Sequence, residues 1–252
     1  ERVPEELNRK ILDHLSDINL VLTEHARRYL IAEGIAPERI MKTGSHMKEV
    51  LEYYMPRIQD SNALMDLELQ AGQYFLVSVH REENVDTPGY LNHLLGTLGE
   101  LLREYGFPII VSTHPRTRQR LDNLGIDELD ARIRFLRPFG FFDYVKLQMG
   151  AFCILSDSGT ITEEASLLNL PAVTIRDSHE RPEGMDEGTL ILCGIRSERV
   201  LEAVRVVVAQ RSSRVLMRVV EDYQADKVSQ KILRIVLSHV DYVNRDVWSR
   251  IP

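Results

Sequence analysis

Eight short apolar runs punctuate the chain: INLVLT (18–23), RIMKTG (39–44), YFLVSV (74–79), PIIVST (108–113), IRFLRP (133–138), AFCILS (151–156), PAVTIR (171–176) and TLILCG (189–194). Between them lie stretches with apolar residues at helical spacing, such as LNHLLGTLGELLREYG and DYVKLQMGA. Short apolar runs bounded by turn residues read as buried strands, and a 3.6-residue period reads as an amphipathic helix. Their alternation predicts βαβ units around a parallel sheet. The six runs from 74 to 194 are predicted to form one complete Rossmann-like domain. The first ~70 residues add two further run-and-helix units, and residues 196–252 read as mainly helical. A domain boundary is expected in the charged, Asp/Asn-rich piece around 57–72. No internal repeat or low-complexity linker interrupts the pattern.

Composition narrows the function without changing this picture. The 252 residues are 44% hydrophobic and 27% charged, enough for one large α/β domain or two small ones. A net charge of -7 argues against sequence-independent nucleic-acid binding, which needs a basic face. No apolar stretch reaches the ~18 residues of a membrane span, and no signal peptide is visible. A cytoplasmic protein without membrane or nucleic-acid partners is therefore expected. Cys153 and Cys193 both sit in apolar runs, so two buried thiols are expected rather than a disulfide or a zinc site. The chain opens on ERVPEE without a methionine, which predicts processing or membership of a longer protein.

Open parallel sheets bind ligands beyond the carboxyl ends of their strands. Four polar clusters fall there: HREEN after 79, HPRTR after 113, DSGTITEE after 156 and DSHERPEG after 176. In the third, Asp157 or Ser158 could cap the helix that opens, and Gly159 would allow a tight turn. The helix N-terminus would then suit a phosphate, and Glu163 or Glu164 could accept hydrogen bonds from ribose hydroxyls. The plain alternative is an ordinary capped helix with surface glutamates. His80 ends an apolar strand and could act as acid, base or phosphate donor, or simply be satisfied in a loop. His114, with Arg116 and Arg118, repeats that arrangement in a form suited to a pyrophosphate or a carboxylate. Arg176 and Arg181 are candidate anion clamps, unless their segment is an exposed charged loop. Near the N-terminus, RVPEELNRKILDHLSD reads as a helix with proline in its first turn. Glu5 and Arg9 there share one face, as active-site groups or as a surface ion pair. No G-x-G-x-x-G follows any strand, so a dinucleotide fingerprint is absent and no nicotinamide cofactor is expected; no metal site is expected either.

Taken together, in this order and at these separations, PEELNR, VHREEN, DSGTITEEA and HERPEG resemble the non-hydrolysing UDP-N-acetylglucosamine 2-epimerase family over residues 1 to about 210. The resemblance implies a GT-B architecture, two Rossmann-like domains with the nucleotide sugar in the cleft between them. It implies that residues 1–57 are the C-terminal part of the first domain, 58–210 the UDP-binding second domain, and 211–252 helices packing back toward the first. The family's first domain begins well before PEELNR. Its early Gly-rich turn, a catalytic aspartate and a further glutamate have no match here.

By the same resemblance, Glu5 and Arg9 fall on an active-site glutamate and arginine, and His80 on the catalytic histidine. Ser158 and Gly159 fall on the pyrophosphate-binding turn, Glu164 on the ribose-binding glutamate and Arg181 on a phosphate-contacting arginine. His114 is grouped with the UDP-binding residues by its strand-end position. Thr160 departs from the pattern, because a second glycine usually stands there. That departure, with RVPEE, MPRI and STHPRTR, looks closer to a branch forming UDP-N-acetyl-L-fucosamine from a 6-deoxy-L-talo sugar. The main implied activity is isomerisation of UDP-GlcNAc and UDP-ManNAc, by elimination of UDP and re-addition through a 2-acetamidoglycal. It would need no cofactor, in a homodimer serving surface polysaccharide synthesis. Two readings of other kinds stand beside it: a UDP-binding domain without turnover, and a GT-B glycosyltransferase. The pairing of HREEN with HERPEG favours the epimerase.

Overall fold

Each of the eight apolar runs contains a strand, shorter than the run itself. β1 (Asn19–Val21) and β2 (Ile40–Lys42) pair in parallel. β3 (Phe75–Val79), β4 (Ile109–Thr113), β5 (Ile133–Leu136), β6 (Cys153–Ser156), β7 (Ala172–Thr174) and β8 (Ile191–Leu192) form a second sheet, with every pairing parallel. The described helices are α1 (Pro4–Leu15), α2 (Glu24–Ala32), α3 (Met47–Gln59), α4 (Ala63–Asp66), α5 (Tyr90–Tyr105), α6 (Phe141–Gly150), α7 (Ile161–Leu168), α8 (Pro182–Asp186), α9 (Ser197–Ser212) and α10 (Val228–Tyr242). The structure, a computed structural model, describes residues 4–79, 89–113, 117–119, 121, 130–177 and 181–250, with Pro4 and Glu5 described by backbone alone. The chain divides into two compact units, residues 1–53 with 220–252, and residues 54–219.

In the larger unit the strands lie in the order β5-β4-β3-β6-β7-β8. The chain builds outward from β3 to β5, returns, and builds outward again from β6 to β8. The order therefore reverses between β3 and β6, the place where doubly wound sheets open a crevice. Period-two alternation decides which side chain faces which layer. Phe75, Val77, Ile109, Val111, Cys153, Leu155 and Val173 pack with Leu94, Leu98 and Leu101 of α5 and Val200 and Val204 of α9. The intervening Leu76, Ile110, Ile154 and Ala172 pack with Leu147 of α6 and Ile161 and Ala165 of α7. Both faces are covered, which is why these strands read as unbroken apolar runs rather than alternating ones. A one-residue slip would exchange the two sets and undo both cores. The 57–72 stretch is not a bare connection, since Ala63, Leu64, Leu67 and Leu69 join the second of these cores. Cys153 is buried as expected, but Cys193 is only half-buried because it lies just past the short edge strand β8.

In the smaller unit, Thr23 caps α2 by accepting from the Ala26 N–H at 3.2 Å. Val21, Leu30, Ile35 and Ile40 form its core. Asp222 ties the later segment to the earlier one: it accepts from the Glu24 N–H and from Lys42 Nζ, both at 2.8 Å. Gly44 sits in the left-handed region at φ +86°, and a side chain there would overlap Ala225. Glycine is what lets the two segments meet. Among the described residues, no helix is long and apolar enough to cross a membrane.

Candidate functional site

β6 ends at Ser156, and both Ser156 and the residue that follows it, Asp157, are fully buried. The Ser156 hydroxyl accepts from the Ser158 N–H at 3.1 Å and starts the turn. The Ser158 and Thr160 hydroxyls share a hydrogen bond of 3.0 Å, and the Thr160 N–H reaches Ser158 Oγ at 3.4 Å. Thr160, not Asp157 or Ser158, is the residue that caps α7, and it makes no side-chain capping hydrogen bond. The expected cap is thus corrected. Ser158 spends its hydroxyl inside the turn and Asp157 is sealed at the strand end. The consequence favours a ligand, because the first N–H groups of α7 and the positive end of its dipole carry no side-chain cap.

The two glutamates of α7 are not surface residues. Glu163 and Glu164 are 2% and 7% exposed. Neighbours on a helix point about 100° apart, so each finds a different partner. Arg181 Nη1 donates to Glu163 Oε2 at 2.5 Å, and their side chains are 22% and 3% exposed respectively. Gln148 Nε2 donates to Glu164 Oε2 at 2.5 Å. Arg181 immediately precedes α8, and Gly184 sets how closely that helix approaches α7, since a β-carbon there would overlap the Thr162 methyl group. One missing side chain thus brings the turn at residues 181–184 against α7.

Burial raises the Glu164 carboxyl above its ordinary range. Hydrogen bonds from Gln148 and Thr160 offset part of that, Glu163 adds to it and Arg181 opposes it. Burial also pushes the Tyr144 hydroxyl up to about 12, against the effect of hydrogen bonds with Ser78 and Gln148. An acid whose pKa is raised on folding binds more protons folded than unfolded. Stability is then lost as pH rises from the ordinary carboxyl value of 4.5 through the folded one. Glu164→Gln removes this loss, and its amide can return a hydrogen bond to Gln148. The ligand-free variant is expected to gain stability as pH rises above 4.5 relative to the unaltered protein, with a flatter pH dependence there, measured by urea denaturation.

Arg9 lies in the smaller unit. It donates to Glu6 at 2.8 Å, Asp13 at 2.5 Å and Glu33 at 2.7 Å. Hydrogen bonding to Glu6 first, then to Glu33 and Asp13, pushes its pKa up against the opposing effect of burial. His80, His114, Arg116, His179 and the Glu5 side chain lie outside the described residues. Within the larger unit, the structure brings together Ser158, Gly159, Thr160, Glu164 and Arg181. Reading the sequence missed Gln148 and Tyr144. Their i, i+4 spacing in the apolar FFDYVKLQMG helix was the available signal.

The reversal between β3 and β6, with this turn beyond it, defines a doubly wound, Rossmann-like α/β unit, a class that binds ligands outside its strand carboxyl ends. The chain belongs to the family described as UDP-N-acetylglucosamine 2-epimerase, whose match runs over residues 1–237. A solved UDP-N-acetylglucosamine 2-epimerase from Rickettsia bellii is 60% identical and superposes with a TM-score of 0.90, over 98% of this chain and 66% of its own. The Methanocaldococcus jannaschii UDP-GlcNAc 2-epimerase, solved in complex with UDP-GlcNAc and UDP, is 31% identical with a TM-score of 0.84, over 93% of this chain and 65% of its own. Mixed α/β structure with parallel sheets is shared with these GT-B-like neighbours. Among curated relatives, a UDP-N-acetylglucosamine 2-epimerase of M. jannaschii is 33% identical over 216 residues, which is 83% of this chain. A UDP-2,3-diacetamido-2,3-dideoxy-D-glucuronate 2-epimerase of Pseudomonas aeruginosa is 30% identical over 206 residues, covering 81% of this chain and 56% of the relative. The chain spans 59% of the length of the M. jannaschii relative.

Proposed function

We propose that the chain is the UDP-holding part of a non-hydrolysing UDP-N-acetylglucosamine 2-epimerase, interconverting UDP-GlcNAc and UDP-ManNAc. The observation that carries this reading is the uncapped N-terminus of α7 behind the Ser158–Thr160 turn, with Arg181 held beside it on Glu163. Epimerisation at C2 must remove a proton that no adjacent carbonyl activates. Elimination solves this: a base takes the C2 proton as the C1–O bond breaks, its electrons leaving with UDP, and a 2-acetamidoglycal forms. UDP then adds back at C1 while a proton is delivered to the other face of C2.

In this scheme the α7 N–H groups and Arg181 stabilise the charge that grows on the departing pyrophosphate. Glu164 accepts from the ribose, and the Thr160 hydroxyl supplies a donor where the usual glycine has none. Glu5 and His80 serve near C2 and the leaving group, with Arg9 beside Glu5. His114 contributes to the UDP site. Residues 54–219 are read as the UDP-binding domain, and 1–53 with 220–252 as part of the first domain. The assembly is read as a cytoplasmic homodimer.

UDP-GlcNAc is favoured as substrate because family relatives at 60% and 33% identity carry that name. The alternative 6-deoxy-L-talo substrate rests on Thr160 in place of the usual glycine. Product analysis by NMR, with the full-length protein and each UDP-sugar separately, decides between them. Formation of UDP-ManNAc from UDP-GlcNAc is expected. Conversion of the talo sugar alone would move the chain to the fucosamine branch, and UDP binding without any conversion would leave a binding domain.

A further inference from the structure

Gln148 is a costly choice for its position. It lies on α6 with a fully buried side chain, in the core that α6 and α7 make against the sheet. Its Nε2 donates to Glu164 Oε2 at 2.5 Å. Its Oε1 is buried and finds no hydrogen-bond partner among the described residues. An amide that satisfies one end and strands the other is worse for packing than an apolar side chain of the same shape. The amide orientation follows from chemistry, because a carboxylate oxygen at that distance requires the NH2 end. The group that gains from this arrangement is Glu164. Its carboxylate is held at one oxygen, in one rotamer, by an element other than its own helix.

We infer that Gln148 is a positioning residue, fixing the Glu164 carboxylate so that its acceptor capacity faces the ribose hydroxyls of the bound nucleotide. The inference rests on the ribose role given to Glu164 above. The acceptor capacity that remains on the Glu164 carboxylate takes the sugar, while the Gln148 amide prevents the side chain from turning back into the core. Gln148 itself touches no ligand. Its effect should therefore appear as discrimination between ribose forms and not as a general loss of affinity.

The test is calorimetry with UDP and with 2′,3′-dideoxy-UDP, on the unaltered protein and on Gln148→Leu, with Gln148→Met as a second variant of unbranched shape. The unaltered protein should prefer UDP by roughly 10- to 100-fold, the range for hydrogen bonds to a charged acceptor. In Gln148→Leu, UDP affinity should fall about 5- to 30-fold while dideoxy-UDP affinity stays within twofold, so the preference collapses. An equal fall for both ligands, or no fall in either folded variant, overturns the positioning role. Absence of any preference in the unaltered protein would instead overturn the ribose role of Glu164, a separate failure that the same titration reveals.

Discussion

Replacing His80 or Glu5 with alanine is expected to lower the epimerisation rate by roughly 10²–10⁴-fold, the range for a positioned acid or base, while UDP affinity changes little. The reason is a division of labour. In the proposed scheme UDP is held from the α7 side, whereas the C2 proton is handled by groups from other segments. A fall in kcat with unchanged UDP binding is the signature of a group that acts in the transition state. Elimination adds an isotopic signature. The proton returned to C2 comes from a group in exchange with solvent, so product formed in heavy water should carry deuterium at C2. Free UDP and the glycal should accumulate at low levels. Complete epimerisation with the C2 proton retained would exclude elimination. Near-normal rates in both variants, with deuterium still incorporated, would leave the route standing and move its acid and base to other residues.

Arg181→Ala is expected to act on folding and binding together. Its partner Glu163 is 3% exposed, and removing the guanidinium takes the paired cation away from a buried carboxylate. Breaking a buried pair costs about 3–5 kcal/mol, and the lower end applies because Arg181 itself is 22% exposed. Urea denaturation of the ligand-free protein should show this loss. UDP affinity should fall by a further 10- to 100-fold through the lost contact with the pyrophosphate. Glu163→Gln separates the two effects: it keeps a hydrogen-bond acceptor for Arg181, whose charge stays partly solvated at 22% exposure, and leaves a neutral group in the core. That variant should lose less than about 2 kcal/mol and retain most UDP binding. A stable Arg181→Ala protein with unchanged UDP affinity would remove Arg181 from the site.

The strands and their parallel pairing were legible along the chain because both faces of the larger sheet are buried. Burial on both faces leaves apolar runs such as YFLVSV and AFCILS with little polar interruption. The polar clusters after residues 79, 113, 156 and 176 were legible as site candidates because a parallel sheet directs all its carboxyl ends to one edge. PEELNR, HREEN, DSGTITEEA and HERPEG then resembled a single family, and residues 1–237 match it.

Partnership was not legible. Nothing in the adjacent letters of Glu163 and Glu164 says that one would meet Arg181, 18 positions away, and the other Gln148, 16 positions back. Helical rotation turns neighbouring side chains apart, and only the packing of α6 and α8 around α7 supplies what each then meets. Ser158 read as a cap because serine before a helix commonly is one, yet in the folded turn its hydroxyl bonds to Thr160 and the helix end stays open. The sequence by itself determined the elements, their order along the chain and the parallel pairing of the strands, since these follow from local periodicity and burial. Tertiary structure alone decided which buried charge meets which partner, because that depends on contacts between segments that local patterning does not encode.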